Sequence, residues 1–220
     1  MNIPDSLILV NYDWPWLVLA VVLGWAIWAA PWRVLRMPNI LNIMMAACVL
    51  VLAFWQIKAG IRPGLNLHIL GATLLTLLFG PWFALLGLLL VLLLASAWDG
   101  GGWHAFALNA LLMGVVPVMV SWSVYRLTIR FLPAHFFVYI FINGFISAGL
   151  TVALTGVVAT FALAEMGAYT LTDLAHTYLP YYLLMAWSEA VTTGMLITIL
   201  VVYRPLWVAT FDDKLYIHDK

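Results

Sequence analysis

Apolar residues in this chain come in long unbroken runs, separated by short segments that hold most of its charged side chains. Five runs approach or exceed the length, about 20 residues, that an α-helix needs to cross hydrocarbon. They are 14–30, 39–57, 104–125, 134–163 and 178–203. Between the second and third lies 66–98, intensely apolar apart from a few polar residues such as Asn66 and His68, and interrupted by Gly80-Pro81. Proline disfavours a helical residue before it and suits the first turn of a new helix. The pattern therefore predicts two helices there, roughly 66–79 and 81–98. The runs are continuous rather than alternating, which favours helices over a barrel.

Composition turns the pattern into a fold class. The chain is 66% hydrophobic and 8% charged. A soluble domain of this length has no interior large enough for that much apolar surface. The expectation is an all-α polytopic bundle in a bilayer, a single integral membrane domain over 1–220. Net charge is zero and there is no basic surface for nucleic acid. Cys48 is the single cysteine, so an internal disulfide or a multi-cysteine metal site is excluded. No basic leader precedes the first apolar run, and no cleaved signal peptide is expected.

Charge decides the number of spans. With seven, Arg33, Arg36, Arg126, Arg130, Arg204, Lys214 and Lys220 share one side, and only Lys58 and Arg62 take the other. With six, the basic residues split. The positive-inside rule selects seven, with the N-terminus outside and the C-terminus, 204–220, a cytoplasmic tail. Tyr12, Trp14, Trp16, Tyr178, Tyr181 and Tyr182 then fit an outer aromatic belt. In the sixth span Gly144, Ala148, Thr151, Thr155 and Ala159 form a stripe suited to close packing within the bundle or to docking of another subunit. No internal repeat of the kind found in many secondary transporters stands out.

Polar side chains within apolar spans are costly unless they face a site or a partner. His68, one turn into the expected third span, is either a hydrogen-bonded structural histidine or a metal ligand, since imidazole suits nickel, cobalt, zinc or copper. Asn66 points elsewhere on that helix, or caps it. His104 follows the glycine turn near Asp99, as a further ligand or a wetted interfacial histidine. Asp99 caps or braces the Gly-rich loop. Asn109 supports a ligand through hydrogen bonding or joins two helices. Glu189, deep in the last span, requires a partner: His68, an amide, a cation or another subunit. Cys48 and Met113 default to core packing, and His135, His176 and His218 show no ligand spacing. There is no phosphate-cradling Gly-rich loop with lysine and no nucleophile–base pair, so neither ATP hydrolysis nor catalysis is expected on this chain.

Several segments resemble one family, the substrate-capture membrane subunits of energy-coupling-factor transporters for cobalt and nickel. Met1-Asn2-Ile3-Pro4-Asp5 resembles that family's opening Met-His-Ile-Pro-Asp, and Leu67-His68-Ile69-Leu70-Gly71-Ala72 its His-Leu-x-Gly-Ala stretch. Gly80-Pro81-Trp82, Asp99-Gly100-Gly101 with Asn109 and Met113-Gly114-Val115-Val116, Glu189-Ala190-Val191-Thr192-Thr193, and Arg204-Pro205 follow in register. The resemblance implies seven spans, an outer segment 1–13 folding back into the bundle, and a transition metal as the substrate, with no intrinsic cofactor. It implies a separate membrane coupling subunit and separate ATPases in a bacterial or archaeal inner membrane. It also implies a site made by the Met1 amine, the backbone nitrogen of residue 2 and His68. Residue 2 is Asn where the family has His, so one imidazole is missing; zinc or copper stay open beside nickel and cobalt. Two other functions compete: a stand-alone carrier coupled through Glu189, and a capture subunit for an organic molecule.

Overall fold

The computed structural model describes residues 3–7, 13–62, 65–99, 102–167 and 169–218. Helix α1 covers Trp14–Ala29, α2 Ile40–Gln56 and α3 Ala72–Trp98. They are followed by α4 Phe106–Phe131, α5 Phe136–Glu165, the short α6 Leu171–Thr177 and α7 Leu179–Tyr203. Four of them, α3, α4, α5 and α7, are long and apolar enough to cross a membrane, and α1 and α2 are shorter apolar helices. Prolines punctuate them where an N–H is dispensable: Pro15 and Pro180 open α1 and α7, and Pro205 follows α7. In α4 the turn Leu111–Val115 is a π-helix just before Pro117, which has no N–H to return to the preceding turn. A second π-helical stretch, Tyr139–Ile146, lies in α5.

The region between α2 and α3 departs from the expected helix at 66–79. Strands β1 (Ala59–Arg62) and β2 (Leu65–Leu67) form an antiparallel hairpin, residues 68–71 have no regular structure, and helix begins only at Ala72. Leu65 and Leu67 are buried while Asn66 between them is half-buried, the alternation of a strand. Asn66 therefore caps no helix, and His68 is not on one; the residue before α3 is Gly71, at φ +70°. The expected break at Gly80-Pro81 is present, with Gly80 at φ 78°, ψ 171°. It folds the chain back. A Cβ on Gly87 would lie 3.1 Å from the Cys48 sulfur and 3.8 Å from Leu75 Cδ1, whereas residues that far apart in a straight helix are separated by about 18 Å.

Contacts sort the connections into two ends. At one, Lys58 after α2 pairs with Asp99 after α3 at 2.5 Å, and Asp5 accepts a hydrogen bond from the Ala105 N–H at 2.9 Å. At the other, Trp32 packs edge-on against Phe83, and the segment after α7 reaches the end of the 72–79 limb. There Ala209 N–H donates to the Leu78 carbonyl at 3.0 Å and Thr210 N–H to the Leu77 carbonyl at 3.3 Å. These supply donors to carbonyls that a helix end leaves unpaired. The expected tail is thus folded against the bundle, with Val208, Phe211 and Tyr216 buried. The small-residue stripe of α5 is buried too, so it packs the interior and offers no outer docking face. Gly156 shows why small residues are needed: a Cβ there would meet Tyr182 of α7 at 2.5 Å.

Candidate metal centre

Two polar arrangements form around the non-helical segment that precedes α3. The 72–79 limb is about 12 Å long at 1.5 Å per residue, far short of the hydrocarbon thickness of about 30 Å. The chain just before it, 68–71, is not helical, and its backbone groups need partners that hydrocarbon would not give. Glu189 provides them. Its two carboxyl oxygens accept from Leu70 N–H at 2.7 Å and Gly71 N–H at 2.8 Å. Trp55 of α2 completes the Leu70 peptide by donating its indole N–H to the Leu70 carbonyl at 3.1 Å. Of the partners expected for Glu189, the structure shows backbone amides.

His68 lies immediately before this junction, buried, with its ring 4.7 Å from the Trp55 ring. Its Nδ1 is 3.2 Å from the Ile69 carbonyl. An Nδ1–H donating there makes Nε2 the basic nitrogen, the arrangement in which a histidine commonly binds a metal.

The second arrangement holds the N-terminal segment. Asn109, fully buried on α4, accepts from Ile3 N–H at 2.9 Å through Oδ1 and donates to the Ile3 carbonyl at 3.0 Å through Nδ2. Ile3 itself is 0% exposed. One carboxamide thus draws an otherwise irregular chain into the interior, and Asp5 seats it on the start of α4. Met1 and Asn2, expected at the metal, lie outside the described residues.

The other expected supporting residues fall elsewhere. Asp99 pairs with Lys58. His104 is exposed and lines a cavity of about 630 Å³ with Asp13, Trp14, Trp16 and Glu165, a lining that does not include His68. Among the described residues no three His, Cys, Asp or Glu side chains gather as a metal site. Trp55 was not legible as part of the site, because near the end of an apolar run it reads as one more interfacial aromatic.

The family model for the cobalt uptake substrate-specific transmembrane region, CbiM, matches residues 2–207. The chain belongs to the CbiM family. It is a multi-pass membrane protein of a transport family, not of an enzyme family. A 68-residue stretch, 30% of the chain, is 46% identical to the probable fused nickel transport protein LarMN of Lactiplantibacillus plantarum. The matched stretch is 21% of LarMN's length, so the chain spans about a fifth of that relative. Two solved structures share this chain's fold. A truncated transition metal transporter superposes with a TM-score of 0.75 over 92% of this chain and 99% of its own, at 20% identity. A second transition metal transporter gives 0.74 over 91% and 92%, also at 20% identity.

Proposed function

We propose that this chain is the substrate-capture component of an importer for a transition metal cation, nickel or cobalt. The clamp on Ile3 carries the reading. Asn109 holds both polar groups of the Ile3 backbone in the buried interior, two positions along the chain from Met1. In this reading the Met1 amine and the Asn2 backbone nitrogen meet the His68 imidazole there. An amine and an amide nitrogen begin a tetragonal chelate suited to Ni(II) or Cu(II), and Pro4 has no N–H through which the chelate could extend. A site of this kind is built largely from main-chain nitrogen and needs only one imidazole from the bundle.

The pairing of chain ends supports seven crossings. Residues 5, 58, 99 and 105 share one end, and 32, 83, 78 and 209 the other. Arg33, Arg36, Arg126, Arg130, Arg204 and Lys214 then cluster on the second end, which the positive-inside rule makes cytoplasmic. The name of LarMN, a nickel transport protein, supports nickel. ATPase and membrane coupling subunits on separate chains would drive release.

Metal analysis of the purified protein tests this. The wild type should carry stoichiometric nickel or cobalt after loading, and both His68→Ala and an N-terminal extension that blocks the Met1 amine should lose it. Unchanged metal content in both variants would overturn the site.

A further inference from the structure

Trp55 is brought against His68 by the hairpin that separates them. β1 opens at Ala59, β2 closes at Leu67, and these two residues are paired. The chain therefore returns to the end of α2 at His68, where Trp55 occupies the last turn. Val51 and Trp55 lie four positions apart, so they share one face of α2. Both are buried, at 0% and 2% exposed. Val51 fills the space beside Gly71, where a Cβ would lie 2.7 Å from its Cγ2. Trp55 meets the His68 ring at 4.7 Å, with the two planes 41° apart. One helix face thus abuts the non-helical stretch at His68, Leu70 and Gly71.

The indole itself has little freedom. Its N–H donates to the Leu70 carbonyl at 3.1 Å, and Glu189 accepts from the Leu70 N–H at 2.7 Å. The Leu70 backbone is therefore gripped from α2 on one side and from α7 on the other. A tryptophan side chain has few torsions, and this one cannot swing without giving up a buried hydrogen bond. The imidazole is confined in turn. The indole covers it, and its Nδ1 lies 3.2 Å from the Ile69 carbonyl. Nε2 is left with a single aim. A tryptophan that only fills space needs one of these contacts at most; Trp55 makes both, to the histidine and to the peptide two residues beyond it.

We infer that Trp55 is a positioning residue that sets metal preference: by fixing the plane of the His68 imidazole it fixes where Nε2 can meet a cation, and so favours Ni(II) over Zn(II). The nitrogen lone pair lies in the ring plane, so turning the ring moves the donor off the ion. Ni(II) suits a tetragonal array and loses bonding when a ligand leaves it. Zn(II) takes a tetrahedral array and has no preference from its d electrons, so a ring free to turn can serve it. A held ring therefore penalises zinc, and a loosened one narrows the gap. The inference rests on the capture reading above, in which His68 is a ligand.

Two substitutions separate the ring from its N–H. Trp55→Phe keeps an aromatic face against His68 and drops the donor; Trp55→Gln keeps a donor for the Leu70 carbonyl and drops the face. The purified full-length chain in detergent is titrated with nickel alone and with zinc alone, and each variant's melting temperature is recorded. In Trp55→Gln the nickel Kd should rise about tenfold, as when a group that orients a metal ligand is lost, while the zinc Kd changes by less than about threefold. Trp55→Phe should melt at a lower temperature yet hold the wild-type preference. A merely structural tryptophan would weaken both metals together and leave their ratio alone. An unchanged ratio in Trp55→Gln, or a ratio equally narrowed in Trp55→Phe, overturns the role; Trp55→Leu repeats the ring-less measurement if Trp55→Gln does not fold. A wild-type chain that binds neither metal, or a His68→Ala chain that keeps its nickel, sinks the capture reading and this inference together. Nickel that depends on His68, with a preference that ignores the Trp55 ring, sinks the inference alone.

Discussion

At the 65–71 break, both polar groups of the Leu70 peptide and the Gly71 N–H meet a partner: Glu189 takes the two N–H groups and Trp55 the Leu70 carbonyl. Along the 143–155 face of α5, polar atoms as deeply buried meet almost none among the described residues. Both interrupt an apolar bundle. The break exposes backbone, which a membrane protein must satisfy in every state, so its partners are built in. The α5 face consists of side chains on a helix whose backbone satisfies itself. Its backbone needs nothing from these side chains, so their polar atoms can be left unmatched without exposing main chain.

The contrast can be broken most sharply at Glu189. Glu189→Leu strands two buried N–H donors and should cost about 3 kcal/mol or more of stability, read as a lower melting temperature in detergent. Glu189→Gln retains one acceptor oxygen and should lose roughly half as much. Equal melting of the two variants would show that the amides find other acceptors. Next is Gly71→Ala, expected to cost about 2 kcal/mol, because it combines a left-handed backbone with overcrowding. Its Cβ would lie 2.7 Å from Val51 Cγ2. Adding Val51→Ala should restore the part due to overlap and leave the backbone strain.

On α5 the sign should reverse. Ser147→Ala and Thr155→Val remove unmatched polar atoms, and each should raise stability in detergent by up to about 1 kcal/mol. A clear loss would mean that these hydroxyls serve the fold and would erase the contrast with the break. The smallest effect belongs to Lys58→Met. The partly exposed Lys58–Asp99 pair should contribute less than about 1 kcal/mol, and the difference from wild type should shrink in high salt.

A gentler probe reaches the segment after α7. Burial, with smaller contributions from Tyr125 and Asp212, pushes Tyr216 up to about 12 from an ordinary 10. Its folded value is the higher, so its contribution is present below about pH 10 and lost as pH rises toward 12. Alkaline titration followed by tyrosinate absorbance should show the 208–216 segment releasing in that window, before the transmembrane helices melt.

Apolar run length and proline placement were enough to predict the helical bundle and the reversal at Gly80-Pro81, because a bilayer enforces both through backbone hydrogen bonding. Charge predicted that the arginines after the first, fifth and seventh expected spans share an end, the arrangement proposed above. His68, Asn109 and Glu189 stood out as polar residues that apolar surroundings would not tolerate without a purpose. Their partners were not legible. Asn109 holds the backbone of Ile3, 106 positions away, and Glu189 the amides of Leu70 and Gly71, 119 and 118 positions away. No local pattern encodes such pairings.

The start of α3 was misplaced for the same reason. Residues 66–71 are apolar enough for a helix, and only the interior partners make non-helical chain tolerable there. The amino-acid sequence by itself determined that this chain crosses a membrane as helices and where it turns, since hydrocarbon and proline act on local chain. Tertiary structure alone decided which polar groups are satisfied and which are left open, since that depends on what distant helices bring to the same depth.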